Sequence, residues 1–202
     1  MAGVFDLQAP ESRGLLATWR RQPGMLGLRV HFSRPAERLL LTEGQIDWLW
    51  PQAEEAGVPV MVSLLPQDLH LIDAVAQRHP GLKLAIDRFA VAINCKDEQA
   101  FACIDELLRL ARHPKVTVKA TCLPSYTADS YPSRRLHPYL QRIYDAFGPA
   151  RIFWGSDLTR LPGSYRQCVT MFTEEMPWLT AGDLEWIMGR GLCEWLGWKY
   201  AA

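Results

Sequence analysis

Short apolar runs rich in β-branched residues alternate along the chain with segments of helical spacing, and the pairing recurs six times. Residues 3–7 form the first strand pattern, and 11–22 set Leu15, Leu16 and Trp19 on one helical face. A strand over 26–32 follows, in which alternation sends Arg29 and His31 to the same face, opposite Val30. After a polar loop, 43–56 repeats Ile46, Leu49, Trp50 and Ala53 at helical intervals and stops at Gly57. Pro51 lies inside that pattern and predicts a kink or a break.

The third strand, 58–65, is apolar apart from its proline and Ser63, and 67–77 carries a helical stripe of Leu71, Val75 and Ala76. Strand 82–86 ends on Asp87-Arg88, and 97–112 predicts a helix burying Phe101, Ile104, Leu107, Leu108 and Ala111. Strand 116–120 is small and apolar except for Lys119, and the long loop 121–134 after it has the length of a functional or mobile segment. A helix over 137–147, a strand over 152–155 and helices over 164–175 and 181–195 complete the chain. Trp154 in the last strand is expected to fill the interior or floor a pocket.

Strand centres recur about every thirty residues, the size of a βαβ unit, which predicts parallel strands joined by right-handed crossovers. With no linker or low-complexity tract, 1–202 is expected to form one domain. The last strand stops on Gly155-Ser156-Asp157. Parallel α/β sheets place their chemistry just past the carboxyl ends of strands, which makes Asp157 a candidate. An aspartate there could equally cap the next helix, and these residues alone leave both readings open.

Charge and composition narrow the classes. Lys plus Arg equals Asp plus Glu, 22 against 22, so no net field concentrates nucleic acid or an anionic membrane. Neither partner is expected. No apolar run approaches the roughly twenty residues of a membrane span. The amino terminus has no basic region of a secretory signal. Five scattered cysteines without a C-x-x-C pair fit reduced thiols in the cytoplasm. Serine-hydrolase elbows, phosphate loops and dinucleotide fingerprints are absent from the sequence.

The order of five segments carries a resemblance: 27–31 (Gly-Leu-Arg-Val-His), 57–60 (Gly-Val-Pro-Val), 78–87 (Arg-His-Pro-Gly-Leu-Lys-Leu-Ala-Ile-Asp), 113–119 (His-Pro-Lys-Val-Thr-Val-Lys) and 147–157 (Phe-Gly-Pro-Ala-Arg-Ile-Phe-Trp-Gly-Ser-Asp). Together with 179–197 they resemble the amidohydrolase-related family. That resemblance implies an α/β fold of the (β/α)8 barrel type and hydrolysis or decarboxylation of small carboxylated or lactone substrates. It puts Asp157 on the eighth-strand acid, which takes a proton from the attacking water. A divalent metal such as zinc is usual in the family, and its first strand carries a His-x-His pair. No such pair occurs here, and Ser63 and Arg88 stand where imidazoles are common. Aligned on the family, the six strands correspond to the third to eighth. The implied barrel is thus incomplete, from a shortened gene product or one that completes itself as a homo-oligomer.

One carboxylate cannot hold a catalytic zinc, which takes three protein ligands. Arg88 instead suits an anionic small-molecule substrate, or pairs with Asp87 on the rim. Arg29 and His31 are candidates for a carboxylate-binding wall with Ser63, while Lys119 either enters the mouth or pairs with an acid in the core. His79, His113 and His137, each beside a proline at a helix boundary, read as structural, and His70 as a helix-surface residue. The expected activity is hydrolysis of a small anionic lactone, amide or related carbonyl compound, with a decarboxylase or a non-catalytic, anion- or partner-binding remnant as alternatives.

Overall fold

The computed structural model of the chain describes residues 2–199, with side chains from Phe5 onward; residues 1 and 200–202 of the expected domain lie outside it. Six strands, β1 (Ala2–Val4), β2 (Gly27–His31), β3 (Val60–Ser63), β4 (Leu84–Ile86), β5 (Val116–Thr121) and β6 (Ile152–Gly155), form one sheet in chain order. Every neighbouring pair is parallel. Among the described residues β1 and β6 each pair with one strand only.

The intervening helices are α1 (Ser12–Leu15), α2 (Pro35–Thr42), α3 (Leu49–Glu55), α4 (Leu69–Arg78), α5 (Asp97–Ala100), α6 (Ile104–Arg109), α7 (His137–Phe147), α8 (Tyr165–Thr173), α9 (Ala181–Glu185) and α10 (Gly191–Leu196). The expected helix over 97–112 is broken between α5 and α6, where Phe101 stacks on Tyr139 of α7 at 4.4 Å and the side chain of Asp97 accepts from the 121–134 loop. Those tertiary contacts outweigh the continuous helical spacing. Helix α2 replaces the expected polar loop; Pro35 sits in its first turn, where a missing N–H costs nothing. Pro51 likewise occupies the first turn of α3, so the helix starts near it rather than kinking.

The outward face of the sheet carries Leu28, Val60, Val62, Leu84, Ile86, Val116, Val118 and Ile152, buried against the helices in the main core. The other face is lined at its lower end by Met61, Ala85 and Phe153, which pack on Trp195 and Leu196 of α10. Trp154 points the opposite way from the expected interior position: it packs against the main core, and Phe153 faces inward. The two-residue period of a strand allows only one of them inside.

Two cations hold this floor in place. Lys83 donates to the Trp195 carbonyl at 2.8 Å and Arg20 to the Leu196 carbonyl at 3.0 Å, satisfying carbonyls at the end of α10 that have no helical partner. The lower end of the inner face is therefore closed by packing. Ionisable side chains collect at the upper end, where the strands finish.

Candidate functional site

Asp87, the first residue after β4, is buried at 1% side-chain exposure and lies between two cations. Arg29 of β2 donates through Nε to its Oδ2 at 2.7 Å, with a second guanidinium nitrogen equally near. Lys119 of β5 places Nζ 2.7 Å from Oδ1, off the angle of a directed hydrogen bond, so that contact is chiefly ionic. Strands β2 and β5 are three steps apart, about 14 Å in a flat sheet. For both to meet one carboxylate, the sheet must curve around this face.

Arg29 also donates through Nη1 to Nε2 of His31 at 3.0 Å. Arginine has no acceptor, so Nε2 is the acceptor and the imidazole proton sits on Nδ1. Burial lowers the His31 pKa from 6.5, and the charge of Arg29 adds to that shift. His31 is therefore neutral at neutral pH and its Nε2 is occupied.

A second pair stands beside the first. Arg88 donates through Nη2 to Ser63 Oγ at the end of β3, at 3.1 Å, and brings Nη1 within 3.5 Å of Asp157 Oδ2 past the end of β6. Arg88 is largely buried, whereas the Asp157 side chain keeps 30% of its surface open to solvent.

The backbone creates this arrangement through left-handed turns at three adjacent strand ends. Arg88, Phe89 and Ala90 have φ of 51°, 54° and 59°, Cys122 has 61°, and Asp157 has 47°. Such conformations cost on the order of 1–3 kcal/mol each for residues other than glycine, and they persist only where the surroundings enforce them. Here burial of Phe89 and Ala90 and the Arg88 contacts enforce the first turn. Gly155 matters to the last: a Cβ there would lie 2.7 Å from Thr121 Cγ2, so only glycine lets β6 close on β5 just before Asp157.

Neighbouring groups that could supply other chemistry are held protonated. Burial raises the Cys122 thiol, hydrogen-bonded near Ser125, and pushes Cys168 up to about 11 and the Tyr126 phenol up to about 12. Neither a thiolate nor a phenolate is available at neutral pH.

All six candidate residues, Arg29, His31, Ser63, Arg88, Lys119 and Asp157, thus gather at the carboxyl edge of the sheet. Lys119 enters the mouth and pairs with an acid there, so its two readings merge. Arg88 pairs with Asp157 and not with its chain neighbour Asp87. His79 and His113 sit against Glu54 and Asp73, away from this edge, and His70 lies on the surface. Asp87 is the organising residue that sequence reasoning left as a turn; its one available signal was its place directly after a buried strand.

The side chains of this chain do not fit a divalent metal. Both carboxylates at the edge already face Arg29, Lys119 and Arg88, which would repel a cation, and among the described residues no three His, Cys, Asp or Glu side chains converge.

A parallel sheet that gathers ionisable groups past its strand ends defines an α/β protein of the kind that works from the carboxyl edge of the sheet. The family model described as Amidohydrolase matches residues 2–190, and the chain belongs to that family. L-fucono-1,5-lactonase of Burkholderia ambifaria is 26% identical over 177 residues, 82% of this chain. The chain spans 57% of that relative's length. An amidohydrolase from Burkholderia multivorans solved with bound zinc superposes with a TM-score of 0.81 at 21% identity, over 97% of this chain and 72% of the other. A protein titled putative 2-pyrone-4,6-dicarboxylic acid hydrolase, from Pseudomonas putida, gives 0.72 at 22% identity, over 99% and 73%.

Two measurements check this geometry. Asp87→Asn strands two cations on one neutral amide and should cost about 3 kcal/mol, the low end for a broken buried pair because Arg29 is partly solvated; urea unfolding that shows less than about 1 kcal/mol contradicts the network. The lowered pKa of His31 means that the unfolded chain binds its proton more readily, so this contribution to stability is complete above 6.5 and declines as pH falls through that value. The urea midpoint should drop between about pH 7 and about pH 5 and drop less in His31→Gln, with His137, lowered by burial, supplying a remainder. An unchanged slope in the variant speaks against the assignment.

Proposed function

We propose that the chain is a single amidohydrolase-related domain that hydrolyses a small anionic lactone or related carbonyl compound, with Asp157 as general base. The observation that carries this reading is the half-open Asp157 carboxylate facing Arg88 across 3.5 Å at the edge of a cation-lined hollow. In the proposed reaction the carboxylate takes a proton from water while the hydroxide adds to the carbonyl carbon. The Arg88 guanidinium offers N–H donors to the carbonyl oxygen as negative charge builds there. Collapse of the tetrahedral adduct breaks the ring C–O bond, and Asp157 returns its proton to the departing alkoxide. The product is the open hydroxy acid.

Arg29, His31, Ser63 and Lys119 are proposed to bind and orient the substrate. Their charges favour an anion, and the resident Asp87 leaves the group with surplus positive charge. The six strands are read as the third to eighth of an eight-stranded barrel. Strands β1 and β6, each with a single partner, would then be covered in a homo-oligomer or by further chain. Five free cysteines support a reducing, cytoplasmic setting. Among the described residues no helix is long and apolar enough to cross a membrane.

Steady-state assays with a panel of carboxylated lactones test the reading. Asp157→Asn should lower kcat by about 10² to 10⁴-fold while its melting temperature stays near that of the parent. Equal rates in both proteins, or none in either with or without added divalent metal, would point to a non-catalytic binding remnant.

A further inference from the structure

A cavity of about 220 Å³ lies between the 121–134 loop and the start of α8. None of Arg29, His31, Ser63, Arg88, Lys119 and Asp157 lines it, so it is a separate space from the cation-lined hollow. No lysine, arginine or histidine lines it either, and Asp129 is its single carboxylate. An anion would meet that carboxylate with nothing to offset it. An ammonium ion would face the partial positive charge at the start of α8, which Gly163 and Ser164 place in the wall. The space suits a neutral molecule.

Its polar groups are arranged for hydrogen bonding. Ser133 and Cys168 form the floor, each 3% exposed, and the Ser133 hydroxyl meets no partner among the described residues. A buried hydroxyl left unpaired is costly, and it points to a partner from outside the chain. Gln167 turns Oε1 to the Ser164 N–H at 3.0 Å and to the Ser164 hydroxyl at 3.2 Å, which leaves both protons of Nε2 for a ligand. Asp129 accepts from the Arg135 N–H through Oδ2 at 3.3 Å and ion-pairs with no cation among the described residues, so Oδ1 remains an acceptor. Thr170 directs its proton to the Arg166 carbonyl at 3.1 Å, so the Tyr131 phenol donates to Thr170 at 2.8 Å. The Tyr131 ring, 37% exposed, is thereby fixed as one wall.

We propose that this cavity binds a neutral polyhydroxylated ring the size of one monosaccharide. Its C–H face lies on Tyr131, and its hydroxyl groups donate to Asp129, accept from Gln167 and do both with Ser133. A hydroxyl group is donor and acceptor at once, so a ring carrying several satisfies a carboxylate, an amide and a serine together. A hydrocarbon ligand would leave all three unpaired. The volume equals that of roughly seven waters in the liquid, which is the space of one six-membered ring with its substituents. The inference goes beyond the lactone-hydrolase reading and does not rest on it.

The test is binding of the neutral methyl hexopyranosides of the gluco, galacto and manno series, read by saturation-transfer NMR and calorimetric titration, with glucuronate and glucosamine as charged controls. The proteins are the parent, Asp129→Ala, Ser133→Ala and Asp157→Asn. At least one neutral glycoside should bind the parent more tightly than either charged control. Asp129→Ala should weaken that binding about tenfold, the loss of one charge-assisted hydrogen bond. Ser133→Ala should weaken it severalfold without lowering the melting temperature, because the hydroxyl has no partner among the described residues to lose. Asp157→Asn should bind as the parent does, whether or not the chain hydrolyses a lactone, so failure of the hydrolase reading leaves this result standing. The site is overturned if no neutral glycoside binds the parent, if neither cavity variant weakens binding, if a charged control binds more tightly, or if Asp157→Asn abolishes binding.

Discussion

One buried carboxylate organises the carboxyl edge of the sheet. Asp87 at the end of β4 is nearly inaccessible to water and is flanked by Arg29 from β2 and Lys119 from β5. A lone buried carboxylate is expensive, and two cations more than offset it, leaving a positive residue of charge that nothing beneath them cancels. Below lies hydrocarbon, the floor of Met61, Ala85 and Phe153 on Trp195 and Leu196. The unbalanced field therefore points upward, out of the mouth. Arg88 extends it towards Asp157.

The cost of this placement is carried by the backbone. Left-handed residues at the ends of β4, β5 and β6 turn the chain sharply enough for Arg88 and Asp157 to face one another instead of following their strands outward. The burial of Phe89, Ala90 and Cys122 just beyond those strands shows how the strain is held: the apolar core clamps the turns while their polar neighbours remain at the surface of the hollow. Rigid support under a partly solvated acid is what general-base chemistry asks for, since a carboxylate that wanders loses its alignment with water and carbonyl.

Much of this could be read from the residues. The recurring strand and helix periods fixed six parallel strands in order, and simple alternation brought Arg29 and His31 to one face. What escaped was governed by contacts between distant segments. The break between α5 and α6 follows from Phe101 seeking Tyr139 and Asp97 seeking the 121–134 loop, neither visible in local spacing. Asp87 was hidden because its role rests on Arg29 and Lys119 from distant strands, and the left-handed turn that follows it begins at Arg88, where no glycine or asparagine announces one. Phe153 and Trp154 are both large and apolar, so their assignment to inner and outer faces needed the register of β6 on β5.

The central claim is that fixed cations, rather than a metal, prepare the substrate for water activated by Asp157. The donor set supports it, because the carboxylates that might bind a divalent ion already face guanidinium and ammonium groups. The most direct measurement is the hydrolysis rate of a carboxylated lactone before and after exhaustive dialysis against a chelator, with residual metal determined on the same samples. Rates that stay within about twofold at substoichiometric metal agree with the account. Activity that vanishes with the metal and returns on adding zinc contradicts it.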